Sequence, residues 1–186
     1  MESIVGHLND MWIQVGKRLL CVPAKNGSMS FRVSIMPELK GRPQLGNKFI
    51  EKARERKIGL YSTEYALSLG LPMFLSVRHP VDRFSSLWRD LQRKSVRTLL
   101  PLRFCSPDQL MDAIEKYPDG NDHWVRQTYY WREGVHVVPY NQFLSRMHLP
   151  YKWEHRSEDL KAEMPTDRIL KHFAGDVELW HAARNP

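Results

Sequence analysis

Lys25, Ser28 and Ser30 stand around one glycine in Cys21-Val22-Pro23-Ala24-Lys25-Asn26-Gly27-Ser28-Met29-Ser30-Phe31-Arg32, and residues of these types at this spacing can hold an anion. Gly27 lets the backbone come close to a ligand, and the unsatisfied N–H groups of a helix start point at negative charge. Lys25 adds a compact cation, and the serines add hydroxyl donors. A second set follows in Val77-Arg78-His79-Pro80-Val81-Asp82-Arg83-Phe84-Ser85-Ser86. There Arg78 offers a planar fork of donors suited to phosphate oxygens, and the Ser86 hydroxyl, inside the next helix, can complete the grip. The lysine precedes the glycine, and Gly-x-x-x-x-Gly-Lys-Ser/Thr is absent, so the first set is not a Walker loop. Each segment taken singly also fits a plain strand-to-helix turn carrying solvated charges.

The elements that must position these residues follow from apolar periodicity. The run Leu19-Leu20-Cys21-Val22 predicts a strand over 18–23, with a helix over 28–36 after it. Pro37 to Gly46 reads as a loop, and 47–57 as an exposed amphipathic helix with Phe49, Ile50 and Ala53 on one side. Residues 57–62 suggest a short strand, and 72–77 a second core strand, ended by Arg78-His79-Pro80. A helix from Val81 to Lys94 carries Phe84, Leu87, Trp88 and Leu91 on one face. Ser106-Pro107-Asp108 has the N-cap hydroxyl and N1 proline of a helix start. Residues 123–132 read as helix, Val135–Val138 as a third strand, and 166–183 as a final helix with Ile169, Leu170, Phe173, Val177 and Trp180 at helical spacing. Strand and helix alternate, so the expected class is α/β, one domain over 1–186, with a parallel sheet flanked by helices. Ligands of such sheets bind at the carboxyl ends of the strands. Lys25 and Arg78 each follow a predicted strand, which directs both to one crevice.

Composition bounds the partners. The 186 residues are 42% hydrophobic, enough for a core, and Lys+Arg 28 against Asp+Glu 21 gives a net charge of +7. That excess suits an anionic ligand or polymer. Cys21 and Cys105 are the only cysteines, which makes neither a disulfide framework nor a zinc site. The first residues, Met-Glu-Ser-Ile-Val-Gly-His, lack a basic segment followed by an apolar run, and no stretch is apolar enough to span a bilayer. The expectation is a soluble, cytoplasmic or otherwise intracellular protein with no membrane span.

Together the two anion-binding segments resemble a known pair. Pro23–Ser30 looks like the 5′-phosphosulfate loop of sulfotransferases. Val77–Ser86 is similar to their 3′-phosphate motif, Arg-Asp-Pro-x-x-Arg-x-x-Ser. Asn121-Asp122-His123-Trp124-Val125-Arg126-Gln127 resembles the Asp-x-His-Trp-x-x-Gln region of the carbohydrate-type Golgi sulfotransferases. Tyr140-Asn141-Gln142-Phe143-Leu144, after the third strand, and Phe173–Leu179 are similar to two further segments of that family, so the resemblance spans roughly residues 18–183. Three departures stand out: His79 in place of Asp, Met29 in the small or hydroxyl run, and Gln142 in place of an acid. No stretch among these residues has the length and apolarity of the family's membrane anchor, and two cysteines do not supply its disulfides.

The resemblance implies a compact sulfotransferase fold, a P-loop-like parallel sheet flanked by helices. It implies 3′-phosphoadenosine-5′-phosphosulfate (PAPS) as donor, 3′,5′-ADP as product, no metal, and a hydroxyl acceptor of carbohydrate type. Lys25 would stabilise the leaving group, with Asn26, Gly27, Ser28, Met29 and Ser30 around the phosphosulfate and Arg78 and Ser86 on the 3′-phosphate. The general base would be Glu64, carried by the strand Ile58-Gly59-Leu60-Tyr61, or else His123. Residues 37–72 and 93–120 would shape the acceptor cleft, with Arg93, Lys94, Arg97 and Arg103 available to an anionic acceptor. His155-Arg156-Ser157 would belong to a loop over the nucleotide. Two other readings stay open: a non-catalytic basic module for nucleic acid or an anionic polymer, and an atypical nucleotide kinase. The basic residues are scattered and match no nucleic-acid motif, so nucleic acid is not the expected partner.

Overall fold

The computed structural model describes residues 12–40, 45–92, 102, 104–118, 120–121, 123–150 and 162–185. The chain enters on β1 (Trp12–Val15), turns at Gly16, whose φ of 59° suits a tight hairpin, and returns as β2 (Arg18–Cys21). Helices α1 (Ser28–Ile35) and α2 (Leu45–Glu55) follow, then β3 (Leu60–Tyr61), α3 (Thr63–Ser68) and β4 (Met73–Val77). The second half holds α4 (Pro80–Gln92), α5 (Pro107–Lys116), β5 (Val135–Pro139), α6 (Tyr140–Arg146), α7 (Thr166–His172) and α8 (Ala174–Arg184).

The five strands form one sheet in the order β3-β1-β2-β4-β5. It is mixed, not wholly parallel as expected. β2, β4 and β5 run parallel, whereas β1 pairs antiparallel with both β2 and β3. The cause is the short Gly16 turn, since a two-strand hairpin can only close antiparallel. The class remains α/β, a sheet flanked by helices.

Alternation along each strand divides the core. Leu20, Val22, Phe31, Phe49 and Phe143 pack on one face of the sheet, under α1, α2 and α6. Leu19, Cys21, Leu75, Val77, Ala66 and Leu179 pack on the other, under α3 and α8. A third cluster joins α4, α5 and α7 through Leu87, Leu91, Leu110, Ile114 and Ile169. The start of α5 has the expected form, a capping box between Ser106 and Gln109 with Pro107 at N1.

Two expected helices are reshaped by tertiary contacts. In 123–132 only a single 3-10 turn forms, Gln127–Tyr130, because the amides of Gln127 and Thr128 donate to the Asp176 carboxylate at 2.9 Å each instead of to helical carbonyls. The final helix is broken at Phe173 (φ −105°, ψ 33°), whose ring is buried against the α4–α5 cluster, giving α7 and α8. The predicted loop after Pro37 contains a 3-10 turn, Pro37–Leu39. Among the described residues no helix is long and apolar enough to cross a membrane.

Candidate functional site

The carboxyl ends of three adjacent parallel strands each deliver one element of the site. Past β2 the chain makes the turn Ala24–Gly27 into α1, β4 ends immediately before Arg78, and β5 ends at Pro139, before Tyr140. Because β2 and β4 are neighbours, the two segments singled out in the sequence meet. Arg78 Nη1 donates to the Lys25 carbonyl at 2.9 Å, and the guanidinium lies 4.6 Å from the centroid of the Tyr140 ring. Its Nε is buried and has no hydrogen-bond partner among the described residues. Burial lowers the Arg78 pKa, an effect opposed by the charges of Tyr140, Asp82 and Asp90. The group nonetheless stays protonated at neutral pH.

The backbone of the turn leaves the start of α1 uncapped. Gly27 is the N-cap of α1 at φ 82°, and no side chain caps the helix. The first intrahelical bond runs from the Phe31 amide to the Gly27 carbonyl at 2.9 Å, so the amides of Ser28 and Met29 lie in the first turn, where helical partners are lacking. Lys25 also has positive φ, 67°, sparsely populated for a side chain of its length. Its ammonium forms an ion pair with Asp90 of α4. Ser86 is half-buried one helical turn before Asp90, so the two share the α4 face that meets the turn.

A buried polar network fixes this geometry. Asn26 Nδ2 donates to the Ser76 carbonyl (2.8 Å) and to Gln127 Oε1 (2.6 Å). The Asn26 backbone amide donates to the Pro23 carbonyl at 3.1 Å, so all three N–H donors of this residue are engaged within the protein. Gln127 then clasps the backbone of Arg78, accepting from its amide and donating to its carbonyl at 2.8 Å each. Arg83, only 4% exposed, donates from Nε to the Ala24 carbonyl (3.1 Å) and from Nη1 to the Val125 carbonyl (2.7 Å), and lies 4.0 Å from Asp176. Arg83 is therefore a clamp on the turn.

The two candidate bases differ in position. His123 lines a cavity of about 10 Å³ together with Arg83, Trp124 and Asp176. Its pKa falls to about 4, first through burial and then through the cation of Lys25, with Asp90 opposing, so the ring is neutral at pH 7 beside the turn. Its Nδ1 is buried without a hydrogen-bond partner among the described residues. Glu64 is exposed in the first turn of α3. It leaves the sheet at the same end but behind the edge strand β3, which β1 separates from β2. Of the other sequence-predicted residues, Gly27 and Met29 are exposed, and Ser28 and Ser30 are half-buried on α1. Arg93, Lys94, Arg97, Arg103 and the segment His155-Arg156-Ser157 lie outside the described residues. Among the described residues no group of His, Cys, Asp and Glu is arranged to hold a metal ion.

Sequence reasoning missed Asp90, Asp176 and Tyr140 as parts of this site. Asp90 carried a usable signal, since it follows Ser86 by one helical turn. Comparison with family models, with curated proteins and with solved structures finds no match to this chain.

Proposed function

We propose that this protein is a sulfotransferase with the compact sulfotransferase fold, moving a sulfuryl group from PAPS to a hydroxyl of a carbohydrate acceptor. The observation that carries the reading is the meeting of the two motifs: the Lys25 turn and Arg78 lie at adjacent carboxyl ends and are bonded to each other. One ligand with an anion at each end of a ribose fits that pair better than two separate anions would. The unpartnered Nε of Arg78 is a donor suited to a 3′-phosphate oxygen.

In this reading the amides of Ser28 and Met29, with the hydroxyls of Ser28 and Ser30, cradle the 5′-phosphosulfate, while Arg78 and Ser86 hold the 3′-phosphate. The acceptor oxygen forms a bond to sulfur as the bridging S–O bond breaks, and the electron pair leaves on the 5′-phosphate oxygen, where Lys25 neutralises it. The acceptor proton passes to a base. Both candidates stay open: Glu64 is exposed on α3, and His123 lies in the small cavity beside Arg83, where burial holds its pKa near 4 and makes it a weak base at neutral pH.

The test is calorimetric titration with 3′,5′-ADP and with 5′-AMP. The expected result is a clear preference for 3′,5′-ADP, reduced by about 2–5 kcal/mol in Arg78→Ala, and loss of sulfuryl transfer from PAPS in Lys25→Ala. Equal affinity for the two nucleotides would remove the reading. A steep salt dependence of DNA binding would instead favour the basic binding module, and magnesium-dependent ATP turnover the kinase.

A further inference from the structure

We propose that Asp90 is a competing counter-ion for Lys25, a carboxylate that holds the ammonium in the free protein and that the 5′-phosphate oxygens of a ligand must displace. The proposal rests on the sulfotransferase reading and adds to it a residue that tunes donor affinity.

The argument begins with exposure. The Lys25 side chain is only 10% exposed, and its ammonium is paired with Asp90, whose own side chain is 28% exposed. An ammonium has three donors and can in principle serve two acceptors. A phosphate brought to the same nitrogen, however, stands within a few ångströms of a second negative charge, and like charges at that range repel. With so little of the lysine open, the ligand oxygens reach the ammonium by taking the place of Asp90.

The backbone points to the same conclusion. Lys25 sits at φ 67°, and its carbonyl is held by Arg78, so the residue cannot swing its side chain by rotating the main chain. Release then comes from Asp90, whose side chain is the more exposed of the pair, by a change of side-chain rotamer. Ser86, one turn earlier on the same helix face, is assigned to the 3′-phosphate. A ligand bearing both phosphates therefore meets α4 at two points, and only the 5′ end competes with a carboxylate. The arrangement selects against small anions, which must break the pair without the support of the second contact.

The experiment is titration of the full chain with 3′,5′-ADP, 5′-AMP and 3′-AMP, in the wild type, Asp90→Asn, Lys25→Ala and the double variant, with folding followed by circular dichroism. Asp90→Asn is expected to bind 3′,5′-ADP about tenfold more tightly. 5′-AMP should gain by a similar factor, and 3′-AMP, which has nothing to place against Lys25, should gain nothing. In the Lys25→Ala background the Asp90→Asn gain should vanish. An unchanged affinity in Asp90→Asn, an equal gain for 3′-AMP, or a gain that survives Lys25→Ala each overturns the role of Asp90 while leaving the donor site standing. Failure of the wild type to prefer 3′,5′-ADP over 5′-AMP overturns the donor site, and the role of Asp90 with it.

Discussion

At the scale of single residues, the site is organised by one buried amide. Gln127 is fully buried and ties Asn26 to the backbone of Arg78, so one side chain sets the separation of the two motifs. Replacing it with Ala takes away the side-chain partner of the Arg78 amide and carbonyl and one of the two acceptors of Asn26 Nδ2. The expected loss is about 3 kcal/mol in urea unfolding, and a loss under about 1 kcal/mol would mean that water replaces the amide. His123 supplies a pH test. Its folded pKa of about 4 lies below the ordinary 6.5, so the unfolded chain binds the extra proton between those values. Stability is then complete above about pH 6.5 and falls as pH drops toward 4, by up to about 3 kcal/mol from this group. His123→Asn should show a correspondingly shallower decline from pH 7 to pH 4.5, and parallel curves for the two proteins would contradict the burial of the ring.

At the scale of elements, the strand-to-helix turn is where local sequence and the candidate site coincide. Gly27 is required by its φ of 82°, not by crowding, since a Cβ built there meets nothing within 4 Å. Gly27→Ala is expected to cost about 1 kcal/mol of stability from the left-handed backbone alone. It should weaken 3′,5′-ADP binding by more than that, because the added methyl enters the space over the first turn of α1. Matched losses in thermal unfolding and in titration would argue that no ligand approaches there. The same scale shows which elements could be read in advance. The helices over 28–35 and 80–92 and the strand over 73–77 have long apolar patterns and clear ends. The internal strand β1, with four residues, carries too little periodicity to stand out from coil, whereas the two-residue edge strand β3 falls inside the short strand expected over 57–62. The 3-10 turn over Gln127–Tyr130 has helical composition, and it gives way to a carboxylate from elsewhere in the chain.

At the scale of the whole molecule, Asp176 joins the C-terminal helix to the site. From α8 it receives the amides of Gln127 and Thr128 and faces Arg83, which in turn holds Ala24. Asp176→Ala leaves the buried Arg83 without its counter-charge and is expected to lower stability by about 3–5 kcal/mol. It should also lower affinity for 3′,5′-ADP, although the residue is assigned no contact with ligand. A variant that unfolds normally yet binds poorly, or the reverse, would separate the two effects and break this link.

The sequence by itself determined the α/β class, the two candidate segments, their order along the chain, and their position after apolar strands. These are local properties, written in periodicity and in the few residue types that suit a tight turn or a planar grip on phosphate. Tertiary structure alone decided that β2 and β4 are neighbours. It also decided that Lys25 meets Asp90, and that Gln127 and Asp176 lock the turn from a distance. Those outcomes depend on which buried donor finds which acceptor across the sheet, and partners separated by 49 to 101 residues leave no spacing in the chain from which they can be read.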